Sequence, residues 1–146
     1  MNTPLYALAF VAGLLLTVQV GMNTSLRNAF GSPGAAALAN FLIASVGLAA
    51  FVWVTRAPWP AKAALSGVPA WAWFGGLLGA FYVGSTVVVG PRLGAAALLA
   101  LTVFGQLVGS LVVDHYGWLN FPQHPLTLTR LAGAALLLVA VILIVR

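Results

Sequence analysis

The chain has 146 residues, 62% of them hydrophobic and 5% charged, with six Lys and Arg, one acidic residue and no cysteine. Soluble domains carry about a quarter charged residues, so a water-soluble enzyme, a nucleic-acid binder and a disordered tail are excluded and an integral membrane protein remains. The formal charge of +5 comes from scattered side chains that form no basic patch, and the lack of cysteine rules out a disulfide framework or thiol chemistry.

A membrane-crossing helix needs about 20 mostly apolar residues. The sequence predicts five such spans, at about residues 5–22, 35–54, 70–89, 94–113 and 126–145, making an all-α integral membrane chain with one five-helix transmembrane domain over 1–146. Met1-Asn2-Thr3-Pro4 puts no basic stretch before the first apolar run, which reads as a retained helix and not as a cleaved leader. Within and just beyond that span lie Thr17, Gln19, Asn23 and Arg27, the last three spaced by four and so on one helix face.

The breaker cluster Gly31-Ser32-Pro33-Gly34 precedes the second span, which carries Asn40 and Ser45. A loop from Thr55 to Pro69 holds Pro58, Pro60 and Pro69. The third span offers Tyr82, Ser85 and Thr86, and Gly90-Pro91-Arg92-Leu93-Gly94 reads as a short connection to the fourth. In the fourth span Thr102, Gln106, Ser110 and Asp114 form a stripe spaced by four, with Gly105 and Gly109 beside it. Gly117 is a helix stop in the loop from His115 to Pro125, and Arg130 lies near the start of the fifth span.

This span order places all five tryptophans, Trp53, Trp59, Trp71, Trp73 and Trp118, near one membrane face with Tyr6, as an interfacial belt. Arg56, Lys62 and Arg130 fall on that N-terminal side and Arg27, Arg92 and Arg146 on the other. Orientation follows the Lys/Arg imbalance between the sides, which is zero here. Either the bias is hidden by small numbers, or copies insert both ways up. In the second case one copy up and one down form an inverted, antiparallel homodimer of ten helices, the arrangement of many transporters built from inverted repeats.

Polar groups in lipid are expensive unless paired or facing a cavity. The hydroxyls and amides of the spans either bond across helices and hold the bundle together or line a polar pathway. Gln19, Asn23 and Gln106 are the strongest pathway candidates, because each amide has several hydrogen-bonding sites that a dry core satisfies with difficulty. Asn40, Tyr82 and Ser110 complete the expected substrate-binding set. Gly75/Gly79, Gly90/Gly94 and Gly105/Gly109 are small-x3-small pairs, read as helix packing.

Asp114, at a helix C-terminus, opposes the helix dipole and calls for compensation. Arg130 is on the same side, which makes Asp114 and Arg130 the expected structural ion pair; the competing reading is a proton or cation relay with His115. No nucleophile elbow or metal-ligand helix motif occurs, and His115 and His124 alone do not make a metal site, so no enzyme, cofactor or metal is expected.

Several segments together resemble a known family. They are Gln19-x3-Asn23-x2-Leu26, Pro91-Arg92-Leu93-Gly94-Ala95, Gly105-Gln106-Leu107, Ser110-Leu111-x2-Asp114-His115-Tyr116-Gly117-Trp118 and Arg130-Leu131-x-Gly133. In this order and spacing, over nearly the whole chain, the sequence resembles the YdcZ-type inner-membrane exporters of the drug/metabolite transporter superfamily. The resemblance implies a bacterial, multi-pass inner-membrane protein with five spans, akin to ten-helix transporters made of two inverted halves. It also resembles the small multidrug exporters, which work as antiparallel dimers. Their glutamate in the first helix has no counterpart, since the chain contains no Glu; the position nearest in role is Gln19.

The expected function is therefore export of a small molecule by alternating access, with Gln19, Asn23 and Gln106 lining a midplane cavity between two copies. The expected partners are a second copy, a small-molecule substrate and membrane lipid, and not nucleic acid. Two alternatives stand beside it: a non-transporting scaffold or accessory subunit, and one half of a heteromeric transporter.

Overall fold

The computed structural model describes residues 3–146, apart from the side chain of Ala63; Met1 and Asn2 of the N-terminal reading lie outside it. The described chain is helical: α1 (Thr3–Phe30), α2 (Pro33–Val54), the short α3 (Lys62–Ser66), a 3-10 turn (Ala70–Phe74), α4 (Gly75–Leu93), α5 (Ala95–Tyr116) and α6 (Leu128–Val145). Five stretches are long and apolar enough to cross a membrane: Thr3–Phe30, Pro33–Val54, Ala70–Leu93, Ala95–Tyr116 and Leu128–Val145. The chain contacts divide into two compact units, Met1–Pro91 and Arg92–Arg146.

In the first unit, α1 runs eight residues beyond the expected end at Met22, because polarity does not stop a helix. What stops it is Gly31, whose φ of +65° turns the chain while its N–H donates to the Arg27 carbonyl at 2.9 Å. Ser32 then caps α2, its hydroxyl accepting from Ala35 N at 3.3 Å, and Pro33 sits where a missing N–H costs nothing. The two-residue joint makes α1 and α2 a packed helical hairpin. Two other boundaries also differ from expectation. The loop between Thr55 and Pro69 contains α3, and residues 70–74 form a 3-10 turn before α4 begins at Gly75.

Pro91 lies inside the last turn of α4, where a connection was expected. Proline cannot donate to the Val87 carbonyl one turn back, so this last turn forgoes a hydrogen bond that a proline in the first turn would not cost. Gly94 alone joins α4 to α5, with φ +78° and ψ 161°, a conformation open essentially to glycine.

In the second unit, α5 and α6 pack together. Helix α5 continues to Tyr116, so Asp114 and His115 belong to it. Gly117 stops it in the left-handed conformation, with Trp118 N bonded to Val113 O at 3.0 Å and Gly117 N to Asp114 O at 3.4 Å. Thr127 caps α6, its hydroxyl accepting from Arg130 N at 3.3 Å.

Only 6–11% of the residues in each apolar window are buried. Phe10 is 69% exposed and Leu136 72%, a surface that only lipid can solvate. The tryptophans of the expected belt are all exposed, Trp53 and Trp59 most of all at 82% and 87%. Few residues are fully inside: Val20 and Asn23 on α1, Ala36 on α2, Thr86, Val87 and Gly90 on α4, Leu98 on α5 and Val141 on α6.

Candidate transport site

The first unit holds Gln19, Asn23, Asn40 and Tyr82. Asn23 is 3% exposed, and Gln19, Asn40 and Tyr82 are half-buried. Gln19 and Asn23 are one helical turn apart, about 6 Å along the axis. The extension of α1 carries the same face on to Arg27, which is also helical and half-buried. Within this unit no hydrogen bond is made by the side chains of Gln19, Asn23, Asn40 or Tyr82.

The hydroxyls behave differently. Thr24 donates to Val20 O at 2.9 Å, Ser45 to Phe41 O at 2.8 Å and Thr86 to Val83 O at 2.8 Å. Each is satisfied by its own helix, in the back-bonding pattern common for Ser and Thr. In the second unit Thr102 donates to Leu99 O at 3.1 Å and Ser110 to Gln106 O at 2.7 Å. None of these bonds crosses between helices, so hydroxyl glue within the chain is not what they supply.

Gln106 and Ser110 lie exposed on α5. Beside them, Gly105 and Gly109 have open space where a Cβ would stand. No helix of its own unit packs against this glycine pair. On α4, Gly79 has the Phe41 ring 4.0 Å from its Cβ position, and Gly90 is buried.

The end of α5 is the most closely bonded region. Arg130 Nη1 donates to Asp114 Oδ2 at 3.2 Å and to His124 O at 3.1 Å. The α5 carbonyls that lack a helical donor find others: Asp114 O accepts from His124 N at 2.8 Å and His115 O from Gln123 Nε2 at 3.0 Å. Leu126 N donates to His115 Nδ1 at 3.2 Å, and Tyr116 stacks on Trp118 with ring centroids 4.8 Å apart. These bonds all run among the end of α5, the loop and the start of α6. The arrangement ties α6 to the end of α5 and leaves His115 Nδ1 occupied. Gln123 and Thr127 carry no sequence signal, and His124 reads from sequence only as a metal-ligand candidate; their roles depend on how the loop folds back, which no spacing rule states.

A recess of about 1020 Å³ lies at the end of α2, walled by Ser45, Val52, Trp53, Arg56 and Trp59. It contains none of the expected substrate residues. It is open, and its rim is the two most exposed tryptophans, the setting of a headgroup-level surface. Among the described residues, no three His, Asp or Glu side chains come together.

The family described as "Putative inner membrane exporter, YdcZ" matches residues 4–143. The chain is 30% identical to the inner membrane protein YdcZ of Escherichia coli (strain K12), an alignment covering 100% of this chain and 98% of that protein. No solved structure matches. With five apolar helices, matched family positions across nearly the whole chain and a full-length relative in the inner membrane, the protein is a multi-pass inner-membrane protein belonging to the YdcZ family of putative inner membrane exporters.

Proposed function

We propose that the chain is a small-molecule exporter subunit that works as an inverted homodimer, with one domain of five spans per copy and ten helices in all. Substrate binds near the midplane between the copies, among Gln19, Asn23, Asn40, Tyr82, Gln106 and Ser110, and access alternates as one half rocks against the other. The observation that carries this reading is the state of the amides. Asn23 is 3% exposed yet bonds to nothing in its unit, while neighbouring hydroxyls are satisfied. Its polar atoms are not wholly sealed off, so a bound solute can reach them, and a function that supplies a partner explains the amide's retention. The exposed glycine pair on α5, with Gln106 and Ser110 beside it, is a surface that a second copy could cover.

The test replaces Gln19 and Asn23 together with Leu and Ala and follows both assembly and flux. Cavity residues leave dimer yield intact and their loss removes transport. An accessory or scaffold role is the outcome if wild-type protein carries no flux and the double variant loses assembly instead. Full flux in the double variant would refute the site. Purified protein that never forms an inverted pair by itself would turn the reading to a heteromeric transporter.

A further inference from the structure

We infer that Arg27 and Asn23 form an anion site, and that the solute moved by this protein carries a carboxylate or phosphate group. The transport half of that statement rests on the function proposed above; the anion site does not. Arg27 stands in the last turn of α1, and its Nε is buried with no hydrogen-bond partner. Among the described residues its guanidinium makes no ion pair. The bland role for such an arginine is to cap the helix C-terminus, but no α1 carbonyl receives an N–H from its side chain, and the Arg27 carbonyl is already bonded by Gly31 N at 2.9 Å.

Arg27 as a whole is half-buried and its Nε–H alone is shut away; a donor so placed without an acceptor costs about 1–3 kcal/mol. The chain has little to cure it with. Residues 1–91 contain no Asp or Glu, and the one acidic side chain, Asp114, is held by Arg130 at 3.2 Å. No carboxylate of the unit can serve as its acceptor, which leaves room for a bound anion.

Arginine Nε–H and an adjacent Nη–H form a side-on fork that fits a carboxylate or phosphate with two parallel bonds. One turn back, the Asn23 amide offers further donors at 3% exposure, and Gln19 follows after another turn. The row extends about 12 Å along α1, from the charged end toward the apolar span. The row itself offers a cation no carboxylate, since residues 1–91 contain none. A solute anion and an anionic lipid headgroup share this chemistry, so the experiment must separate them.

Wild-type protein, Arg27→Gln and Arg27→Lys are reconstituted in phosphatidylcholine vesicles, and thermal unfolding is followed by tryptophan fluorescence with benzoate, inorganic phosphate or tetraethylammonium. A parallel set uses vesicles containing phosphatidylglycerol and no soluble anion. The expected result is stabilisation of wild type by benzoate or phosphate, a half-saturating concentration at least about ten-fold higher in Arg27→Gln, partial recovery in Arg27→Lys, and no response to tetraethylammonium. Stabilisation seen only with phosphatidylglycerol, and lost in Arg27→Gln, supports the anion site and overturns its assignment to a solute. Equal responses of wild type and Arg27→Gln to every anion, or stabilisation by the cation, overturn the inference.

Asn23→Asp guards against misfolding of the arginine variants. It sets a carboxylate one turn from Arg27, so it should raise the melting temperature without ligand and remove the response to benzoate. If Asn23→Asp keeps the wild-type response, the site is wrong. Flux assays keep the two claims apart: an Arg27-dependent shift without any flux leaves the anion site standing and removes the transporter. Flux of a cationic probe that Arg27→Gln retains does the reverse.

Discussion

Two helix ends in this chain use the same backbone device with different residues. Helix α5 closes on Gly117, and α2 closes on Arg56, whose φ is +50° while Arg56 N bonds Trp53 O at 3.2 Å and Ala57 N bonds Val52 O at 3.1 Å. Side chains in the left-handed region cost about 1–2 kcal/mol. Gly117→Ala should therefore lower unfolding stability in detergent by at least that amount, since a Cβ would also stand 3.2 Å from the Gln123 Cβ. Arg56→Gly should shift stability the other way, by about 1 kcal/mol. A thermal or denaturant series on both variants checks the pair; equal signs would show that something other than backbone strain decides. The Asp114–Arg130 contact belongs to this scale too. At 26% and 35% side-chain exposure the pair is wet, so its coupling in a double-mutant cycle of Asp114→Asn with Arg130→Gln should be about 1 kcal/mol or less. The His124 carbonyl, which also accepts from Arg130, should make Arg130→Gln the more damaging of the two single changes.

At the scale of elements, the number of spans was legible, as were the breaks at residues 31–34 and at Gly117, while other ends were not. An apolar run of about 20 residues can satisfy its backbone in lipid only as a helix, so five runs imply five helices. The ends are set by backbone conformation. Nothing from Asn23 to Phe30 breaks a helix, and a polar stretch simply continues α1 to Gly31. The 28 residues of α1 reach about 42 Å, beyond a hydrocarbon core of about 30 Å, which carries Arg27 clear of the apolar interior while keeping it in register with Asn23. The stripes on α1 and α5 follow from spacing alone. Which side chains lack partners, and that the space beside Gly105 and Gly109 is open, require the packed structure. That open face leads to a prediction for α5. Gly105→Leu and Gly109→Leu meet nothing within their own unit, so its secondary structure should be unchanged. If a second copy covers the face, cross-linking and dimer yield should collapse, and unchanged dimer yield would put the interface elsewhere.

At the scale of the whole molecule, what stands out is a charge pattern with no direction. Arg56, Lys62 and Arg130 lie on one side of the spans by connectivity, and Arg27, Arg92 and Arg146 on the other. Orientation responds to Lys and Arg near span ends and scarcely to acidic residues, so the Asp114–Arg130 pairing does not take Arg130 out of the count. If the three-against-three count decides insertion, neither sense is preferred, and a change at one position should impose one. Arg92→Gln leaves three basic residues on the N-terminal side against two, which should draw that side into the cytoplasm; Arg56→Gln should give the opposite. A C-terminal reporter active on only one side of the membrane should read both orientations in wild type and a single, opposite one in each variant. The functional consequence is sharper than the topological one. If transport needs one copy of each orientation, either variant alone should lose flux, and co-expression of the two should restore it without any change in the candidate cavity residues. A one-sided reporter in wild type, or full flux from a single biased variant, would remove the inverted pair and leave a parallel assembly as the only homodimer to consider.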